Sequence, residues 1–151
     1  TTCHWSLDRL QVRINADGVR LEGELVVPAP AVGIVVFAHG SGSTRHSPRH
    51  RFVADTFNNE GLATLLFDLL TPKEAFADAV DGHMRFDILF LASRLECAID
   101  WVSTQRATET LKLGVFGAST GATAALVAAG ERPDRVSAVV SRGGRTRWRD
   151  R

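Results

Sequence analysis

Residues 111–130 read LKLGVFGASTGATAALVAAG, and this stretch decides the fold. Leu113-Gly114-Val115-Phe116 is an apolar run with the length and composition of a buried strand. Gly117-Ala118-Ser119-Thr120-Gly121 follows. An alanine-rich segment then runs to Gly130, with Pro133 just beyond. That ending predicts a helix with a C-terminal glycine stop. Strand, G-x-S-x-G, helix is the context of a nucleophile elbow, where the serine sits at the apex of a sharp, strained turn. Gly117 and Gly121 have no Cβ, so strand and helix can pass close to each other. The helix would point its first N–H groups and its positive end at an oxyanion forming beside Ser119. The competing reading of the same residues is a serine-capped helix after a strand in any α/β protein.

The flanking segments extend an α/β pattern. Residues 10–16 alternate apolar and polar, Asp17-Gly18 is a hairpin turn, and residues 19–27 alternate again before Pro28 and Pro30. Residues 32–38, VGIVVFA, are apolar without alternation, as in a strand buried on both faces. They run into His39-Gly40-Ser41-Gly42-Ser43. Ser47-Pro48 predicts an N-cap and first helical position, with Phe52, Val53, Thr56 and Phe57 on one face and Gly61 closing the helix. Residues 62–67 predict the next buried strand, ending at Asp68. Residues 71–80 read as loop, with Phe76 as a wall of the site. Residues 81–103 predict the longest helix, with Ile88, Leu91, Leu95, Ala98, Ile99 and Val102 in one stripe and Arg94, Glu96, Asp100 and Ser103 opposite. Residues 136–140 predict a last short strand. An antiparallel hairpin followed by strand and helix in repetition implies a mostly parallel sheet with helices on both faces.

Length and composition set bounds. The chain has 151 residues, enough for one core, and its 44% hydrophobic content is ordinary for a soluble domain. No apolar run approaches the ~20 residues of a membrane span, and no secretory leader opens the chain. Cys3 and Cys97 form no framework, so both are expected reduced, in a cytoplasmic protein, with Cys97 a packing residue. The net charge of +1 conceals an asymmetry: residues 142–151 hold five of the 18 basic residues and one of the 17 acidic ones. The body is mildly acidic, which argues against a nucleic-acid partner. His46 and His50 are four apart, but Pro48 lies between them and no third ligand is marked, so no metal site is expected. No cofactor is expected either.

Three segments, VVFAHGSGSTRHSPRH (35–50), LATLLFDLLT (62–71) and LGVFGASTGA (113–122), resemble the α/β-hydrolase superfamily, and more closely its dienelactone hydrolase-like branch. The resemblance covers most of residues 20–141. It implies a partial α/β-hydrolase domain over residues 1–141, with its core at 10–141. Members named for dienelactone hydrolysis usually carry cysteine at the elbow. Serine here argues for a general esterase-like member acting on a small ester or lactone. The resemblance also implies roles. Ser119 would be the nucleophile, with the backbone N–H groups of Thr120 and Ser41 as oxyanion donors. His39 and Gly40 would shape the oxyanion loop, with Gly117 and Gly121 as elbow glycines.

A serine nucleophile needs a base, and the base an orienting acid, in the order Ser, acid, His for this superfamily. No histidine follows Ser119: the five are His4, His39, His46, His50 and His83. If a base lies in the chain, His46 or His50 near the oxyanion loop is the candidate, but both read rather as surface residues at a helix start. Asp68 precedes the elbow and is expected to hydrogen-bond a loop. Residues 142–151 read as a basic, irregular tail, either a cut or frame-shifted gene end or an Arg-Gly-Gly arm for nucleic acid or an anionic partner. The chain by itself is therefore expected to turn over little ester. It is also expected to self-associate through an exposed sheet edge, unless Trp148 folds back on that surface. Two rivals keep the same residues: a non-catalytic hydrolase-like scaffold, and a phosphate- or nucleotide-binding module built on HGSGSTR. The latter lacks the P-loop lysine and carries Arg45 where a dinucleotide fingerprint has its third glycine.

Overall fold

The computed structural model describes residues 7–144. Cys3, His4, the basic run from Arg145 onward and Trp148 lie outside them. The chain opens with the expected hairpin: β1 (Leu10–Ala16) pairs antiparallel with β2 (Val19–Val26) across the Asp17-Gly18 turn, Ala16 facing Val19. Gly18 turns at φ +89, a conformation open to glycine. The apolar runs become β3 (Gly33–Ala38), β4 (Leu62–Phe67), β5 (Lys112–Ala118) and β6 (Val136–Arg142). The sheet order is β1-β2-β4-β3-β5-β6. β3 lies between β4 and β5, parallel to both, and β6 runs parallel to β5. β2 joins the hairpin to β4 antiparallel. The six-stranded mixed sheet, mostly parallel, is the fold the alternation and the buried runs imply.

Helices cover both faces. On one, α1 (Pro48–Asn59) packs Ala54, Val53 and Phe57 against Phe37, Leu66 and Phe116. On the other, α3 (Ile88–Thr104) and α4 (Thr120–Glu131) pack Leu91, Leu95, Ile99, Ala124 and Ala128 against Ile34, Val36, Leu65 and Val115. Alternate residues of β3 thus serve opposite cores, which is why its sequence shows no polar side. Cys97 is half-buried against the larger core, as expected.

Several expectations are corrected. Residues 71–80 are not loop: α2 (Pro72–Asp81) is a helix with a full capping box, Thr71 Oγ1 accepting from Glu74 N–H and the Glu74 carboxylate accepting from Thr71 N–H. Its apolar residues hide it, because Phe76 and Val80 point to solvent and mark no buried stripe. The long helix starts at Ile88, not residue 81. Gly82 ends α2 at φ +66, a short 3-10 turn covers Met84–Phe86, and Asp87 caps α3. Arg94 lies on the buried face of α3, where Glu74 pairs with it. Phe52 is exposed, and the buried positions of α1 are His50, Ala54 and Asn58. Gly130 lies inside α4, which runs on to Glu131. Arg142, read as the start of the tail, is the last residue of β6.

Candidate active site

The carboxyl ends of β3, β4 and β5 carry His39, Asp68 and Ser119, and the crevice outside strand ends is where open α/β sheets bind ligands. Ser119 is exposed at the N-cap of α4 with φ 57 and ψ −122, one of two described non-glycine residues with positive φ. The turn is tight enough to explain both glycines. A Cβ on Gly117 would stand 2.5 Å from Gly121 O and 2.6 Å from Ala122 Cα. One on Gly121 would stand 2.5 Å from His39 O and closer still to Ala38 O. Either would push backbone aside. The Ser119 N–H donates to Arg142 O at 2.9 Å, and the Ser119 carbonyl accepts from Ala122 N–H at 3.0 Å, so β6 and the first turn of α4 fix the bend from both sides.

The loop after β3 faces this bend. A Cβ on Gly40 would lie 3.3 Å from Ser119 Cβ. The Gly40 carbonyl accepts from Ser43 N–H at 3.1 Å and lies 2.8 Å from His39 Nδ1. A trans peptide is planar, so the Ser41 N–H points opposite to that carbonyl. Among the described residues neither Ser41 N–H nor Thr120 N–H has a hydrogen-bond partner.

His39 is buried. Its Nε2 accepts from Leu69 N–H at 3.0 Å, which requires a neutral ring with the proton on Nδ1, donated to Gly40 O. Burial holds its pKa below the ordinary histidine value. The ring therefore ties the β3 and β4 loops together and leaves neither nitrogen for Ser119. Leu69 is gripped from its other side by Arg94 Nη1, which donates to Leu69 O at 3.3 Å. The same guanidinium holds Glu74 with two bonds of 2.8 and 2.7 Å and keeps that carboxyl below its usual pKa. Asp68 accepts from Arg45 N–H at 2.7 Å and from Arg45 Nη1 at 2.5 Å, so it organises the loop as expected.

Between these groups lies a cavity of about 500 Å³, with the 39–46 loop as one wall, Leu69, Leu70 and Leu91 at its base, and Thr120 beside the elbow. The α2 side is Pro72, Ala75, Asp78 and Ala79. Phe76, expected as a wall, is 81% exposed and does not line it. His46 is exposed at the rim. His50 is not a surface residue: it is 3% exposed, with its ring 5.5 Å from those of Phe37 and Phe116. None of the four described histidines hydrogen-bonds the Ser119 hydroxyl. Among the described residues no three His, Cys, Asp or Glu side chains cluster to hold a metal. No helix of the described residues is long and apolar enough to cross a membrane. The 39–69–94–74 chain of contacts was missed in the sequence, although Thr71-Pro72-Lys73-Glu74 carries the capping signature that would have placed α2.

No protein-family model matches the chain. Two curated proteins of Mycobacterium tuberculosis, from strains CDC 1551 and H37Rv, are 55% identical to it over 135 residues; each carries the name "putative phosphoribosyl transferase". The match takes in 89% of this chain and 30% of theirs. The crystal structure of a dienelactone hydrolase from Anabaena variabilis superposes with a TM-score of 0.91 at 55% identity, over 93% of this chain and 65% of that one. The esterase Est1E of Butyrivibrio proteoclasticus (TM-score 0.71, 19% identity, 87% of this chain and 49% of that) shares the fold. So does the Pyrococcus furiosus esterase Pf2001 (0.74, 21%, 92% and 51%). The chain thus spans under two thirds of the length of its relatives. In its sheet order and its likeness to the Anabaena enzyme, the chain has an α/β-hydrolase-like fold and resembles the dienelactone hydrolase-like branch.

Proposed function

We propose that this chain supplies the nucleophile and oxyanion donors of a serine hydrolase acting on an ester or lactone of a small molecule. The observation that carries the proposal is the backbone at Ser119. A φ of 57 is unfavourable for serine and serves no packing, since the side chain is exposed. It presents the hydroxyl at the head of α4 against Gly40. Ser119 Oγ attacks the carbonyl carbon. Thr120 N–H and Ser41 N–H, both without partners, receive the charge that develops on the carbonyl oxygen. His39 and Gly40 hold the loop that aims Ser41. The general base and its acid are assigned to the portion of such an enzyme that this chain does not span, so the 151 residues alone are expected to turn over little substrate. A reducing, cytoplasmic setting fits the free thiol of Cys97.

The name carried by the mycobacterial relatives does not weigh against this reading. The region they share with this chain is 30% of their length, and it is the region with the hydrolase fold. The phosphate-module alternative is less well supported, because the loop's anion-binding features are engaged internally. Ser47 Oγ caps α1 at His50 N–H, and the Arg45 guanidinium is paired with Asp68.

Exposure to a fluorophosphonate, followed by peptide mass mapping, tests the proposal. The expected adduct sits on Ser119 and disappears in Ser119→Ala. Labelling at another residue in place of Ser119, or labelling that survives the substitution, overturns it.

A further inference from the structure

This inference rests on the hydrolase reading and asks what kind of chain the cavity beside Ser119 accepts. Among the described residues, the lysine, arginine and carboxylate side chains that line it are Arg45, Asp68, Asp78 and Arg85. They form two pairs of the same construction. In Asp68, one carboxylate oxygen accepts from Arg45 N–H at 2.7 Å and the other from Arg45 Nη1. In Asp78, one oxygen accepts from the N–H groups of Met84 and Arg85, at 2.7 and 3.3 Å, and the other from Arg85 Nε at 2.9 Å. Each carboxylate thus fixes backbone with one oxygen and cancels a guanidinium with the other. Neither arginine is sealed off. Their side chains keep 19% and 29% of their surface exposed, for Arg45 and Arg85 respectively.

The base of the cavity is aliphatic, made by Leu69, Leu70 and Leu91, and Ala75 and Ala79 face it from α2. An aliphatic chain lodged there leaves water, which strengthens binding about fourfold for each methylene buried. A carboxylate or ammonium on the same chain would leave water for a place where each opposite charge is already taken. That cost is offset only by a free partner. We propose that the Arg45–Asp68 and Arg85–Asp78 pairs are specificity-determining. By cancelling each other within the protein they restrict this cavity to the uncharged aliphatic part of an ester or lactone, and they turn away a chain that ends in a charge. The two-oxygen construction makes the idea separable from folding. Asparagine keeps the carbonyl oxygen that holds the backbone N–H and removes the charge that cancels the arginine. Either substitution therefore frees a guanidinium in the lining and opens the cavity to a carboxylate.

The test uses Ser119→Ala protein, which cannot react, titrated at neutral pH with ethyl butanoate, ethyl hexanoate, monoethyl adipate and ethyl 6-aminohexanoate. The last two carry the hexanoate chain with a carboxylate or an ammonium at its end. Affinities are read from the backbone amide shifts of Leu70, Ala75 and Ala79. Ethyl hexanoate is expected to bind about 15-fold more tightly than the butanoate. It should also bind more than about tenfold more tightly than either charged ester. Adding Asp78→Asn should raise the affinity for monoethyl adipate about fivefold and leave ethyl hexanoate unchanged. The aminohexanoate should not improve. Asp68→Asn makes the same prediction through Arg45, and it carries the test if Asp78→Asn does not fold. Charged esters that bind the parent as well as the hexanoate does, a hexanoate no better than the butanoate, or no amide shift with any ester overturns the inference. So does monoethyl adipate that improves in neither variant. Fluorophosphonate labelling of Ser119 decides the hydrolase reading separately, so the two failures are distinguishable.

Discussion

If the elbow stores strain, relieving it should stabilise the protein while removing its chemistry. Ser119 holds φ 57, ψ −122, a region that suits glycine and costs other residues about 1–3 kcal/mol. Ser119→Gly removes the Cβ that makes the conformation unfavourable. Against that gain stands the greater freedom glycine has in the unfolded chain, about 0.5–1 kcal/mol. The net expectation is a gain of roughly 0.5–2 kcal/mol, or a rise in Tm of about 1–8 °C for a domain of this size. Ser119→Ala is the control. It keeps the Cβ and the strain, and it removes an exposed hydroxyl that makes no hydrogen bond to a capped N–H, so its stability should stay within about 0.5 kcal/mol of the parent. Urea unfolding with unchanged m-values gives the comparison. A Ser119→Gly protein no more stable than Ser119→Ala would mean that the bend is not strained. The argument from backbone geometry to a nucleophile would then fail.

Two further outcomes are expected. The His50 pKa is lowered to about 4, first by burial and then by neighbouring charges, Arg142 and Arg49 among them. Because the unfolded ring takes up its proton near 6.5, the stability tied to the neutral ring is complete above that pH and is lost as pH falls towards 4, by about 3 kcal/mol. Unfolding free energies measured from pH 7 to pH 4 should show this decline, and His50→Phe should flatten it; an equally steep decline in the variant refutes the assignment. Among the described residues β6 is an outer strand with Val140 49% exposed, so the chain alone is expected to self-associate along it. Light scattering should show growth with concentration that Val140→Lys reduces, and a parent monodisperse as a monomer at every concentration refutes it.

The parts of the fold legible in the sequence are those where one residue type has one physical use. Asp17-Gly18 between two alternating runs can only be a tight turn, and it is. The unbroken VGIVVFA run signals burial on both faces, and β3 proves to be flanked by two parallel strands and two cores. G-x-S-x-G encoded the approach of strand to helix so tightly that neither glycine tolerates a Cβ. What stayed hidden depends on partners far along the chain. Arg94 looks like a solvent-facing charge on its own helix. It is buried because Glu74, twenty residues earlier, and Leu69 O meet it there. α2 was hidden for a different reason. A helix roofing an open cavity turns small residues such as Ala75 and Ala79 toward it without burying them and leaves Phe76 and Val80 exposed, so its pattern is the inverse of an ordinary surface helix.

That inversion bears on the site itself. The elbow positions Ser119 by covalent geometry and close packing, which sequence encodes locally. The opposite wall is positioned by a relay: Gly40 by His39, His39 by Leu69, Leu69 by Arg94, and Arg94 by Glu74 at the head of α2. Each link is a hydrogen bond with one or both partners buried, so a missing link leaves a buried polar atom behind. The relay also bears on the proposed role of His39. A histidine just after a strand, beside a nucleophile, invites assignment as a base. With Nε2 accepting from a backbone N–H and burial lowering its pKa, the ring cannot take a proton without breaking the bond that holds the β4 loop. Its two ring nitrogens are taken up by Gly40 O and Leu69 N–H, and in the proposed mechanism proton transfer from Ser119 would fall to a group other than the four described histidines.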